Sequence, residues 1–130
     1  LRRCNCLPVI YNHINRNNRD SFGWQQAFIR AGGTAKLIEY WHEPESGCDV
    51  DMLPDRYWVI AIFGRMMGTC AASRKHLIEH DVHSLISEAA RDTDQEVREC
   101  AVCALKGLIQ HPEGHSVVTP RSLLACLGRH

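Results

Sequence analysis

No charge of either sign dominates this sequence: across 130 residues, 15 Lys and Arg stand against 15 Asp and Glu. A chain with no net field displaces few counterions from phosphate, so nucleic-acid binding and electrostatic docking on an anionic membrane are set aside for the chain as a whole. Long apolar runs are missing too. The longest, Trp58 to Phe63, falls far below the roughly 20 residues a membrane span needs. A phosphate-binding loop is also missing, because Gly32-Gly33 is followed by neither a further glycine nor a Lys-Ser/Thr pair. There is no initiator Met at Leu1 and no signal-type apolar segment after Arg2 and Arg3, so the chain is expected to be a piece of a longer protein.

What is present is 45% hydrophobic residues, 9 Gly, 5 Pro and an odd number of cysteines, seven: Cys4, Cys6, Cys48, Cys70, Cys100, Cys103 and Cys126. Most of these thiols fall inside apolar helical patterns. They are expected to be reduced and buried, in a cytoplasmic, reducing environment.

The patterned segments have the helical period. Val97, Ala101, Ala104, Leu105 and Leu108 form a stripe on one face of a long helix beginning near Glu96, with Asp92-Thr93-Asp94 as its caps. Val59, Ile62, Phe63, Met66 and Cys70 form a second stripe, opened by Pro54 and Asp55. Two short helices, Ser73 to Glu79 and Val82 to Ala90, lie between them, with a break near His80-Asp81. Upstream, Ser21 is expected to cap a short helix through Trp24, Phe28 and Ile29 that stops at Gly32-Gly33. Another short helix then runs from Thr34 to His42. Residues 43–53, acidic through Glu43, Glu45, Asp49 and Asp51, read as an enlarged loop.

The pattern repeats. A shift of 39 residues lays His76 on His115, Ile62 on Ala101, Met66 on Leu105 and Cys70 on Ile109. An earlier copy lays Phe28-Ile29 on Leu77-Ile78 and Leu37-Ile38 on Leu85-Ile86. Two short helices and a long one, recurring about every forty residues, predict an all-α solenoid whose units bury their apolar faces against one another.

In Phe28-Ile-Arg-Ala-Gly-Gly-Thr-Ala-Lys-Leu-Ile38 and Asp94-Gln-Glu-Val-Arg-Glu-Cys-Ala-Val-Cys-Ala-Leu-Lys-Gly-Leu108, the sequence resembles the armadillo repeat family. The resemblance implies a right-handed α-solenoid of three-helix repeats. Residues 1–16 would be the last helix of a preceding repeat, 17–72 a repeat with the enlarged loop, 73–111 a compact repeat and 112–130 the start of the next. Further repeats of the same chain are then expected on both sides. It also implies that the third helices line a groove for a partner peptide or helix. Importin-like members carry a Trp and an Asn four residues apart there. This sequence has Gly64 and Gly68, then Cys103 and Gly107, at those places, so nothing in it supports binding of transport signals.

Gly inside a helix costs about 1 kcal/mol relative to Ala, so Gly64, Gly68 and Gly107 call for a reason. They and Cys103 are read as the floor of a binding groove. Its edges are expected to be Arg56, Met67, Glu99, Lys106 and Gln110, with Asn5, Asn12 and His13 from the first helix. The alternative reading, that these glycines only permit close helix packing inside the stack, stands beside it.

Other chemistry is weaker. His76, His80 and His83 with Glu79 and Asp81 have partial metal-ligand spacing, but the break near Asp81 turns His83 aside; no metal and no other cofactor are assigned. Cys4-x-Cys6 and Cys100-x-x-Cys103 do not make a zinc ribbon, because the second pair sits in mid-helix. No cysteine is placed at a clear helix N-terminus beside a basic group, so no nucleophile is assigned. The expected function is a non-enzymatic scaffold or adaptor module for another protein. The alternatives are a regulatory or autoinhibitory domain of a larger enzyme or signalling protein, and a chaperone co-factor.

Overall fold

The computed structural model describes residues 6–15, 19–43, 53–121 and 124. Among these, all regular structure is helical and no strand occurs: α1 (Cys6–Ile14), α2 (Arg19–Arg30), α3 (Gly33–His42), α4 (Asp55–Thr69), α5 (Ala71–Glu79), α6 (Val82–Ala89), α7 (Gln95–Ile109) and α8 (Pro112–His115). No helix among the described residues is long and apolar enough to cross a membrane.

The helix ends follow local chemistry. Pro54 precedes α4 in an extended conformation, with Asp55 in the first turn, where a carboxylate favours the exposed N–H groups. The Asp94 carboxylate accepts the Val97 N–H at 3.1 Å and caps α7. Between α2 and α3 the chain turns through Gly32 at φ 88°, a conformation that glycine adopts without a Cβ penalty. Between α5 and α6 the same place is taken by Asp81 at φ 62°, the one non-glycine residue with positive φ among those described. Gly32 and Asp81 lie 49 residues apart.

That spacing corrects the register of the earlier repeat. At a constant shift of 49, Gly33 lies on Val82 and Leu37 on Ile86, and all four are buried. Pairing Leu37 with Leu85 is one residue off, because Leu85 is only half-buried. Phe28-Ile29 on Leu77-Ile78 keeps the right shift. In the later copy Ile62 and Ala101, and Met66 and Leu105, are all buried as aligned.

Two expected starts differ. Ser21 does not cap α2 but lies inside it, fully buried, and donates to the carbonyl of Ile14 at 2.8 Å. It thereby satisfies one of the acceptors left open at the end of α1. α5 begins at Ala71, two residues before Ser73, because Cys70 is its N-cap and the buried Ser73 hydroxyl is drawn to Gln25. Asn5 and residues 44–52 of the acidic loop lie outside the described residues.

α4 is the centre of the core. Val59, Ile60, Ile62, Phe63 and Met66 are completely buried, with α1 and α7 packed on either side and α3, α5 and α6 behind. Three elements also pack on the one three places later: α1 on α4, α2 on α5 and α4 on α7. Cys70 is buried, but Cys100 is half-buried and Cys103 exposed; these three are free thiols. Cys6 is exposed and disulfide-bonded. The expectation of reduced, buried cysteines therefore does not hold at Cys6 and Cys103.

Candidate functional site

The seam between α4 and α7 has two characters along its length. At Gly64 the helices touch: a Cβ built there would lie 2.8 Å from the Ala104 Cβ, so the close approach requires glycine. One turn on, a Cβ at Gly68 would meet nothing within 4 Å, and the same holds at Gly107 on the facing helix. The packing explanation accounts for the first glycine and not for the other two.

Above this seam lies an open cleft of about 330 Å³, lined from α1 by Tyr11, from α4 by Tyr57, Gly64, Arg65 and Gly68, and from α7 by Cys100, Cys103 and Gly107. Its size is at the low end for sites that hold small ligands. The structure thus brings Gly64, Gly68, Cys103 and Gly107 together on one surface.

The edges differ from the expected ones. Met67 is 1% exposed, because four and seven residues back along the helix lie Phe63 and Ile60, both in the core. Arg56 points away from the cleft, towards Asp92 at 3.3 Å, and its guanidinium carbon lies 5.6 Å from the Trp41 ring centre. His13 stacks on Trp24 of α2, with ring centres 5.1 Å apart. Two residues apart on a helix means nearly opposite sides, so Tyr11 faces the cleft in its place. Asn12 is exposed and does not line it. Glu99, Lys106 and Gln110 are exposed; they lie along the flank of α7 beyond Cys103, with Glu99 accepting from Gln95 at 2.8 Å.

The residues not foreseen are Tyr11, Tyr57, Arg65 and Cys100. Tyr57, Ala61 and Arg65 follow one another at four-residue steps beside Gly64 and Gly68, and Cys100 precedes Cys103 by three. Extending the helical spacing outward from the glycines would have found three of the four. Trp58, read as lying just off its stripe, is half-buried and meets the Tyr11 and Tyr57 rings edge-on at 5.7 and 5.1 Å.

The cleft is poorly suited to nucleophilic chemistry. Burial, reinforced by Cys103, pushes the Cys100 thiol up to about 12, so it stays protonated at neutral pH. Burial, with Cys100, Tyr11 and Glu96 nearby, also raises the Tyr57 phenol above its ordinary value. A cysteine sits at a helix start elsewhere: Cys70 precedes α5. Burial opposes its ionisation, but hydrogen bonds from Ser73, Ala72 and Gln26 outweigh that and lower the thiol.

The histidines go to other tasks. His76 pairs with the Thr34 hydroxyl at 3.0 Å, His80 Nδ1 lies 2.9 Å from the His76 carbonyl, and His83 Nε2 lies 3.2 Å from Asp81. Burial and the neighbouring His80 ring lower the pKa of His76. Among the described residues no three His, Cys, Asp or Glu side chains are grouped to hold a metal. No family model, curated protein or solved structure matches the chain.

Proposed function

We propose that this chain is a non-enzymatic interaction module, an armadillo-like stack of three-helix repeats whose α1–α4–α7 face holds a segment of a partner protein. Three features favour the repeat reading: two copies of a helix, a left-handed turn residue, a second helix and a long helix; the constant shift of 49 between their short helices; and the packing of α1 on α4, α2 on α5 and α4 on α7. A right-handed solenoid extends that arrangement.

The observation that carries the binding reading is the pair Gly68 and Gly107. An alanine at either place would meet no neighbour and would favour the helix by about 1 kcal/mol. Their lack of a side chain has no use inside the chain, whereas it lets an incoming backbone come close. The aromatic rings of Tyr11 and Tyr57 supply rigid contact area beside that floor, of the kind enriched where proteins meet. In this reading Cys103 contributes small size and no chemistry.

The test is a selection of short random peptides displayed on phage against the intact chain. Peptides should be enriched, and their binding should vanish with Gly107→Arg while the helical circular dichroism is kept and the melting temperature does not fall. Failure to enrich any peptide, or binding indifferent to Gly107→Arg, would refute the proposal.

A further inference from the structure

Four arginines among the described residues are at least partly sheltered from solvent, and three of them find acceptors in the chain. Arg56 meets Asp92, Arg74 meets Glu113 and the Met67 carbonyl, and Arg98 meets the carbonyls of Asp92 and Thr93. Arg65 is different. Its Nε is sealed from solvent without a hydrogen-bond partner, and among the described residues no side-chain acceptor pairs with its guanidinium. Arg65 lines the cleft, where its Nη groups keep their donors.

It is also the one charged residue among the described residues that line the cleft. A donor fork without an acceptor, on a sheltered wall beside a glycine floor, fits a carboxylate, which can take two parallel N–H bonds from one guanidinium.

We infer that the cleft selects a partner segment bearing an acidic side chain, its carboxylate held by Arg65 and its backbone lying over Gly68 and Gly107 with the flanking residue against Tyr11 and Tyr57. This rests on the interaction-module reading and adds to it the chemical class of the partner and the direction in which it lies. The carboxylate sits at the Arg65 end of the cleft.

The test uses peptides enriched from the random display library. Each is resynthesised with every Asp and Glu in turn changed to Asn or Gln, and titrated against the intact chain and against Arg65→Gln and Arg65→Lys. One amide replacement should weaken binding about tenfold or more, a loss typical of a charged hydrogen bond. Arg65→Gln should impose the same loss on the acidic peptide and none on its amide version, and Arg65→Lys should recover part of it. The helical circular dichroism of each variant checks that it has folded.

If enriched peptides lack carboxylates, or bind Arg65→Gln as well as the parent, the carboxylate assignment is wrong while the interaction module survives. If no peptide is enriched, both fall. Sedimentation of the chain alone separates one more occupant: a dimer dissociated by Gly107→Arg would assign the cleft to a second copy and overturn the inference.

Discussion

The two sides of α4 solve the same packing problem in opposite ways. Towards α2, α3, α5 and α6 the helices are joined by polar side chains sunk in the core. Gln25, completely buried, donates to Ser21 at 3.3 Å and Thr69 at 3.2 Å and accepts from Ser73 at 2.7 Å. Gln26 donates to Ser73 at 3.1 Å, Thr34 meets His76, and the Trp41 indole donates to Glu88 at 3.0 Å. Towards α1 and α7, beyond the Gly64 contact, the seam has no such bonds and lacks side chains at Gly68 and Gly107. Apolar burial is non-directional and leaves helices free to slide, whereas a buried hydrogen bond has one geometry. The bonded side fixes the register of the helices, so the open side can be left unfilled without the helices losing their alignment.

That contrast can be broken most strongly from the bonded side. Gln25→Ala leaves the Ser73 hydroxyl short of its acceptor and opens a cavity between α2 and α5. It should cost about 3 kcal/mol in urea unfolding. A loss below about 0.5 kcal/mol would mean that the buried amide does not lock the repeats together.

Next comes the contact glycine. Gly64→Ala pushes a methyl against the Ala104 Cβ, which cannot rotate away, so α4 and α7 must separate; the expected cost is about 1–2 kcal/mol after the gain in helix propensity. An increase in stability would show that the helices already have slack there, and the distinction between contact and cleft glycines would disappear.

The smallest effect is in pH. Folding holds the pKa of His76 below its ordinary 6.5, so the unfolded chain binds more protons and stability falls as pH drops below about 6.5. His76→Gln should flatten that part of the pH–stability curve. An unchanged curve would show that the Thr34–His76 contact does not couple the repeats to pH.

Much of this organisation was legible in the sequence. Six of the eight helices among the described residues, α2 to α7, are read from the apolar period, and Pro54, Asp94 and the Gly32 turn mark ends where backbone chemistry is local; α1 and α8 rest on the resemblance alone. The register was harder, because the turn at Asp81 has no glycine to announce it and the positive φ appears only in the fold. Ser21 misled for a related reason. A serine near a helix start suits a cap, but its hydroxyl found a tertiary acceptor at Ile14 instead. In the cleft, the glycines and Cys103 were visible from spacing alone. Arg56, Met67 and His13 were assigned to the wrong side, since the direction of a side chain near the boundary of a stripe depends on partners such as Asp92 and Trp24 that are distant in sequence. Arg65 could not be told from any other surface arginine until the absence of an acceptor around it became visible.

The central claim is that Gly68 and Gly107 are kept free for something outside the chain. The direct measurement is thermal unfolding of the Gly68→Ala, Gly107→Ala double variant beside the parent, followed by titration of both with one enriched peptide. With open space above both positions, the melting temperature should rise by several degrees, about 1 kcal/mol or more in stability, while peptide affinity drops. A lowered melting temperature would contradict the account by showing that both glycines serve internal packing, and undiminished affinity would show that the peptide does not lie over them.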